Sequence, residues 1–268
     1  MVEKLIFETH AHYDDDAFDN DRHELLKGMP EAGIEAIVNI GANIKSCKTT
    51  LALCEKYPFV YGALGVHPSD AEELNEETLA WLRQAVEGNS IQKGGKIVAI
   101  GEIGLDYYWD KEADVQANQQ FWFERQADLA RECSLPMVIH SRDAAKDTLD
   151  MMKAMKAEEI GGIVHCYSYS VEQAREYLNM GFYFGIGGVV TFSNAKKLKE
   201  VVKYLPIDVI VLETDCPYLS PVPNRGKRNS SLNLPYIAKE IAAVKSMDEE
   251  EVIRITRENA KKVYRIKG

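Results

Sequence analysis

Ile97-Val98-Ala99-Ile100-Gly101-Glu102-Ile103-Gly104-Leu105-Asp106 opens on four apolar residues and closes on carboxylates set among glycines. The run Ile97 to Ile100 is short, apolar and partly β-branched, so it reads as a buried strand whose functional end is the polar sequence behind it. The same pairing recurs on both sides. Upstream lie the runs Leu5 to Phe7, Ala36 to Ile40 and Val60 to Val66; downstream come Met137 to Ile139, Ile163 to Val164, Phe182 to Ile186 and Val209 to Leu212. Between them, segments such as Gln116 to Cys133 and Ser170 to Met180 carry apolar residues at helical spacing. Asp248 to Val263 reads as one more helix, with Ser246 or Asp248 as its cap. Eight strand and helix units in 268 residues fit an α/β (β/α)8 TIM barrel better than a doubly wound sheet, whose usual count is about five or six strands. A single barrel domain over residues 1–268 is expected, with no linker at which to divide it.

Composition narrows the function classes. With 46% apolar and 28% charged residues, and with glycine and proline following no period, the chain is neither disordered nor collagen-like. Lys+Arg of 32 against Asp+Glu of 42 leaves a net charge of −10. A polyanionic partner must therefore be met by a local basic patch or by bound cations. The apolar stretch within Met1 to Glu8 is too short for a signal peptide. Tyr177 to Ala195 carries no charge, but its four glycines and its asparagines and serine make it a buried strand followed by a loop, not a membrane span. Five cysteines (Cys47, Cys54, Cys133, Cys166, Cys216) form no C-x-x-C pair and no even framework, so they read as reduced. A cytoplasmic protein without a membrane segment or an obligate protein partner is expected.

In such a barrel the chemistry gathers where the strands end at the C-terminal face. The polar residues behind the apolar runs are Glu8-Thr9-His10-Ala11-His12, Gly65-Val66-His67-Pro68, Gly101 to Asp106, His140-Ser141-Arg142-Asp143, His165-Cys166-Tyr167-Ser168 and Glu213-Thr214-Asp215-Cys216-Pro217. Five of six histidines fall there, and only His23 lies elsewhere. His10 and His12, two apart on an extended segment, point to one side. Alone the pair fits a hydrogen-bonded core couple as well as a metal site. Glu102, His140, His165 and Asp215 decide between the two, because carboxylates buried side by side are costly unless a cation neutralises them. His10, His12, Glu102, His140, His165 and Asp215 are therefore candidate ligands of two divalent ions. His67 is either a donor to the substrate or a histidine packed beside Pro68. Cys166 and Cys216 should face outward, being neighbours of inward-facing ligands. The loop Pro217 to Ser231 holds Arg225, Lys227 and Arg228 and no acid, which suits a phosphate backbone. Ser193-Asn194 ahead of Ala195-Lys196-Lys197 suggests a helix N-terminus near it. Tyr107, Tyr108 and Trp109 stand at the mouth, for base stacking or for packing over the rim.

At these motifs the chain resembles the TatD family of metal-dependent deoxyribonucleases, within the amidohydrolase-like superfamily. The resemblance runs over nearly the whole chain, through Thr9 to His12, Gly65 to Pro68, Ala99 to Tyr107, Val138 to Arg142, Val164 to Ser168, Leu212 to Leu219 and Asn224 to Asn229. Glu8, Ser69 and Tyr169 depart from it, standing where the family often has Asp, His and Gly. The resemblance implies that His10, His12 and Asp215 hold one ion, that His140 and His165 hold the second, and that Glu102 bridges them. It further implies hydrolysis of phosphodiester bonds by a hydroxide held between the ions. Asp215 and Glu102 are then catalytic, with His67 and Arg142 meeting the charge that builds on the phosphoryl oxygens. Tyr107, Arg225, Lys227 and Arg228 would bind the strand. The implied substrate is DNA, with RNA as the other nucleic-acid candidate, and the implied reaction is 3′-to-5′ removal of nucleotides from single-stranded or damaged ends. The ions could be Zn, Mn, Mg or Co, since His and carboxylate sets accept each. A metal-dependent ester or amide hydrolase, including an aminoacyl-tRNA deacylase, is the alternative, because the same nucleophile attacks either centre.

Overall fold

The computed structural model describes residues 5–267. Eight parallel strands follow one another in chain order: β1 (Ile6–Ala11), β2 (Ile34–Ile40), β3 (Val60–Leu64), β4 (Ile97–Asp106), β5 (Met137–Arg142), β6 (Gly162–Val164), β7 (Tyr183–Ile186) and β8 (Ile210–Leu212). Helices alternate with them: α1 (Arg22–Gly28), α2 (Ile44–Lys56), α3 (Glu76–Asn89), α4 (Ala113–Glu132), α5 (Ala145–Ala154), α6 (Val171–Asn179), α7 (Lys196–Tyr204) and α8 (Leu234–Lys245), with α9 (Glu249–Val263) added at the end. The chain leaving β8 returns to the first strand, where Asp215 N–H donates to His10 O at 3.0 Å and His12 N–H to Cys216 O at 2.8 Å. The barrel expected from the sequence is the fold observed. No helix among the described residues is long and apolar enough to cross a membrane.

Inside the barrel, Val38, Val98, Val138, Ile163 and Val211 form a cluster with Phe7. His140 and His165 lie two residues beyond Val138 and Ile163, so their side chains continue the same inward face at its C-terminal end. At the opposite end α9 contributes Ala260 and Val263 to that cluster, joined by Tyr264, the residue that ends the helix, whose hydroxyl donates to Thr9 O at 2.8 Å. The cap of α9 is Asp248, whose Oδ1 accepts the N–H of Glu250 at 2.9 Å. Ser246, the other candidate, instead ends α8 in the left-handed region, with φ +54°.

Three strands run further than their apolar runs. β1 continues to Ala11, β5 to Arg142, and β4 through all of Gly101 to Asp106. In β4 the reason is close approach to β5. Gly104 adopts φ +146°, and a Cβ there would lie 1.9 Å from His140 O. Glycine, read from sequence as a strand end, here lets the strand pass its neighbour. Glu102 and Asp106 consequently sit within the strand, not in a loop after it.

Candidate metal centre

The ends of β1, β4, β5, β6 and β8 converge on one cluster. Oε2 of Glu102 lies 3.4 Å from His10 Nε2 and 3.7 Å from His12 Nε2. Its Oε1 lies 2.6 Å from His140 Nδ1 and 3.6 Å from His165 Nε2. The two oxygens thus divide the four histidines into two pairs. Asp215 Oδ1 stands 3.3 Å from His12 Nε2 and 3.7 Å from His10 Nε2, and 3.9 Å from His165 Nε2. His10 and His12 bring their Nε2 atoms to 3.1 Å of each other.

The far nitrogen of two rings is already hydrogen-bonded, and that of a third faces a carboxylate. His12 Nδ1 lies 3.0 Å from Ile40 O, an acceptor only, so Nδ1 carries the hydrogen and a neutral His12 turns a bare Nε2 to the cluster. His140 Nε2 lies 3.1 Å from Asp106 Oδ2, which leaves Nδ1 for Glu102. His165 Nδ1 meets Glu213 Oε1 at 3.2 Å in a bent contact, which leaves its Nε2 inward. Neutral imidazoles held this way aim lone pairs at two carboxylates. That arrangement is repulsive without positive charge in the middle, and it is the donor set that borderline dications take. Protons supply the charge otherwise. Burial opposes the charged form of His12, yet Asp215 lifts it to about 9; burial likewise opposes His165, which Glu213 and Glu102 lift to about 10. Burial raises Glu102, but His165, His140 and His10 more than offset this and hold it well below the usual carboxylate range. Protons and a cation compete for one site, so metal affinity falls as pH falls.

His67 follows β3 and opens into the same cavity. Its Nδ1 accepts the Ser69 N–H at 3.1 Å, so the ring hydrogen is on Nε2, 4.0 Å from Glu102 Oε1. Burial, with His140 beside it, pushes its pKa down to about 3. It is a neutral donor aimed at the cluster.

A family model described as TatD related DNase matches residues 7–265. The chain belongs to the TatD family. Among its relatives, YabD of Bacillus subtilis, an uncharacterized metal-dependent hydrolase, is 44% identical over 263 residues, spanning 98% of this chain and 100% of that one. The crystal structure of YjjV, a TatD homologue from Escherichia coli, superposes with a TM-score of 0.89 at 28% identity and covers 100% of both chains. A TatD family hydrolase from Entamoeba histolytica shares the fold, with a TM-score of 0.85 at 24% identity over 98% of this chain and 99% of its own. The protein is a hydrolase of this family, and its His, Glu and Asp cluster fits a metal site.

In this TatD barrel the cluster floors a cavity of about 1040 Å³, lined on its β4–β5 side by Trp109 and Arg142. Tyr107 is elsewhere. Its hydroxyl donates to Asp147 Oδ2 at 3.1 Å and receives Gln120 Nε2 at 2.7 Å. The turn after Asp106 thus sends Tyr107 back among the helices, and the stacking expectation passes to its neighbours. Cys166 also differs from the sequence reading. With φ +45° it leaves the strand alternation just past β6, and it lines the cavity within reach of His165 and Asp215. Cys216 is fully buried in the larger apolar cluster, which the helices share, and stays outside the ligand groups, as its expected outward direction requires.

Two carboxylates that the sequence reading left without a role are Asp106 and Glu213, the partners of His140 and His165. The available signal was parity: Glu213 precedes Asp215 by two and Asp106 follows Glu102 by four on extended chain. The three departures from the family pattern also have places. Glu8, fully buried, accepts Thr214 N–H at 2.9 Å and the Thr214 hydroxyl at 2.6 Å, and burial pushes its pKa up to about 8. Ser69 offers its N–H to His67, and the Tyr169 hydroxyl pairs with Ser141 at 3.0 Å.

The basic loop lines a neighbouring cavity of about 540 Å³ that shares Asp15, Tyr218 and Leu219 with the main one. Arg225 stacks on Phe192 at 3.8 Å. Arg228 is not free: it forms a two-point ion pair with Asp21, at 2.8 and 2.5 Å. The acid missing from the loop comes from a residue 207 positions away in sequence. The structure therefore separates three cations that read alike. If this loop meets a nucleic-acid backbone, Arg225→Gln with Lys227→Gln should raise KM for oligonucleotides and flatten the salt dependence, by roughly 0.7 in log–log slope for each phosphate of a single strand that is no longer neutralised. Arg228→Gln should leave that slope alone and change stability little, as loss of an exposed pair does. An equal fall in slope from either change would return Arg228 to the substrate. Ahead of α7 the helix N-terminus has no side-chain cap.

Proposed function

We propose that the protein is a divalent-metal-dependent deoxyribonuclease that removes nucleotides from the 3′ ends of single-stranded or damaged DNA. The observation that carries this reading is the division of four inward histidines between the two oxygens of Glu102. On this reading His10, His12 and Asp215 hold one ion, His140 and His165 the other, and Glu102 spans both, with Zn, Mn, Mg or Co as candidates. Two such cations, when bound, would supply Lewis acidity toward phosphoryl oxygens and lower the pKa of a bound water. Asp215, kept ionised against its burial by the His12 hydrogen bond and by His165, is the carboxylate that would orient the attacking water and take up its proton. His67, through a neutral Nε2–H, and Arg142, through its guanidinium, face the cavity where charge builds on the phosphoryl group. Arg225 and Lys227 hold the backbone beyond it. The family's description supports DNA as substrate, and five unbridged cysteines support a reducing, cytoplasmic compartment.

A panel of single-stranded DNA, RNA, aminoacyl-tRNA and a simple lactone, each assayed with added Zn, Mn, Mg or Co, tests the reading. A 5′-labelled oligodeoxynucleotide is expected to shorten stepwise from its 3′ end, ahead of every other substrate. Deacylation or lactone opening without loss of nucleotides would put an ester or amide hydrolase in its place.

A further inference from the structure

Behind β4 the chain makes a turn that exposes two aromatic rings in succession: Tyr108 is 43% and Trp109 66% exposed. Isolated exposed apolar side chains are ordinary. These two are held. Asp106 Oδ1 accepts Tyr108 N–H at 2.9 Å and Trp109 N–H at 3.3 Å, and the rings meet edge to face with centroids 4.6 Å apart. The other oxygen of the same carboxylate is the partner of His140 Nε2. One buried group thus anchors a cluster histidine and the aromatic turn together.

Arg142 completes the arrangement. It lies two residues beyond His140 on β5, so it leaves the strand on the same side. Its guanidinium stands 4.0 Å from the Tyr108 ring centroid and 5.6 Å from that of Trp109. Among the described residues it forms no ion pair and no side-chain hydrogen bond, although a net charge of −10 leaves acids in excess. A stacked guanidinium with its N–H fork free, beside an exposed indole, presents flat π and cationic surface with in-plane donors to whatever enters the cavity.

We infer that Tyr108, Trp109 and Arg142, fixed by Asp106, form a subsite that stacks a nucleobase of the substrate beside the metal cluster. The inference rests on the nuclease reading and adds to it that the base, not the phosphate alone, is bound. A stacking platform accepts any base, because every base has a π face, so tight binding comes without sequence preference. Loss of one stacked base corresponds to roughly 5- to 150-fold in affinity.

The test uses the protein as purified and two phosphorothioate octamers that resist hydrolysis, one of thymidine and one of the same charge without bases. Binding is read by anisotropy of a 5′ dye and by tryptophan emission. The thymidine octamer should bind at least about fivefold more tightly than the baseless one and quench emission saturably. Trp109→Ala should abolish the quench and most of the difference between the ligands, and Trp109→Tyr should restore the difference. On cleavable oligothymidylate, Trp109→Ala should raise KM with little change in kcat. Equal binding of the two octamers by the wild-type protein, or a difference that survives Trp109→Ala, overturns the subsite while the nuclease reading stands. Failure to bind either octamer, together with no cleavage of DNA under any metal, overturns the nuclease reading and the subsite with it.

Discussion

Glu102→Gln is expected to lower kcat on DNA by about 100-fold or more, roughly what removal of one strong preorganised electrostatic contact costs, and to strip metal from the protein while the barrel stays folded. The shape is kept. A glutamine amide still reaches His140 Nδ1, now 2.6 Å from Oε1, as a donor in place of a charged acceptor. What disappears is the negative charge toward which two pairs of histidines point, and an amide nitrogen turned to either pair meets a cation with its positive end. Metal content after dialysis and kcat should fall together, and melting should approach that of chelated wild-type protein, because an ion that binds only the native state stabilises it by mass action. Chelation of the wild type should abolish turnover, and restored metal should recover it. A Glu102→Gln protein with full metal occupancy and near wild-type rate would remove Glu102 from between the ions.

The place of Glu102 was legible because a closed barrel makes strand ends spatial neighbours. Once eight apolar runs are recognised, His10, His12, His140, His165 and Asp215 need no further information to converge. Legibility failed where a partner comes from far along the chain. The acid that pairs with Arg228 is Asp21, and nothing within Pro217 to Ser231 announces it. Tyr107 failed for a related reason, since Asp106 captures the N–H groups of Tyr108 and Trp109 while the Tyr107 ring between them and the strand turns toward Asp147, 40 positions on. Strand alternation misplaced Cys166 because the period of two holds only on extended backbone, and Cys166 has already left it at φ +45°. The glycines of β4 misled about its length, because a glycine that ends a strand and one that admits a neighbouring backbone are written with the same letter.

A glycine that admits a neighbouring side chain supports the cluster from behind, and Gly185→Ala is expected to destabilise the protein by about 2–5 kcal/mol while weakening metal binding roughly 10- to 100-fold. Gly185 lies on β7, where a Cβ would stand 2.0 Å from Glu213 Oε2 and 2.5 Å from the carboxyl carbon. Glu213 has no exposure through which to retreat. Its Oε1 holds the Cys166 N–H at 2.7 Å and faces His165 Nδ1, so displacement leaves a buried donor unpaired and lets the His165 ring turn. The cost belongs to the collision and not to alanine in a strand, which a double-mutant cycle can separate. Glu213→Ala alone should also weaken metal binding, because His165 loses the carboxylate that faces its Nδ1. With Glu213 already shortened, the added Cβ fills space the carboxylate has vacated, and Gly185→Ala should then stabilise by about 0.5–1 kcal/mol through the smaller backbone entropy of alanine. The sign of one substitution reverses with the identity of a residue 28 positions away in sequence. Denaturant midpoints for the two single variants and the double variant measure it. Additive losses would mean that Gly185 answers to some neighbour other than Glu213, and that His165 is held in place by packing and not by the carboxylate behind it.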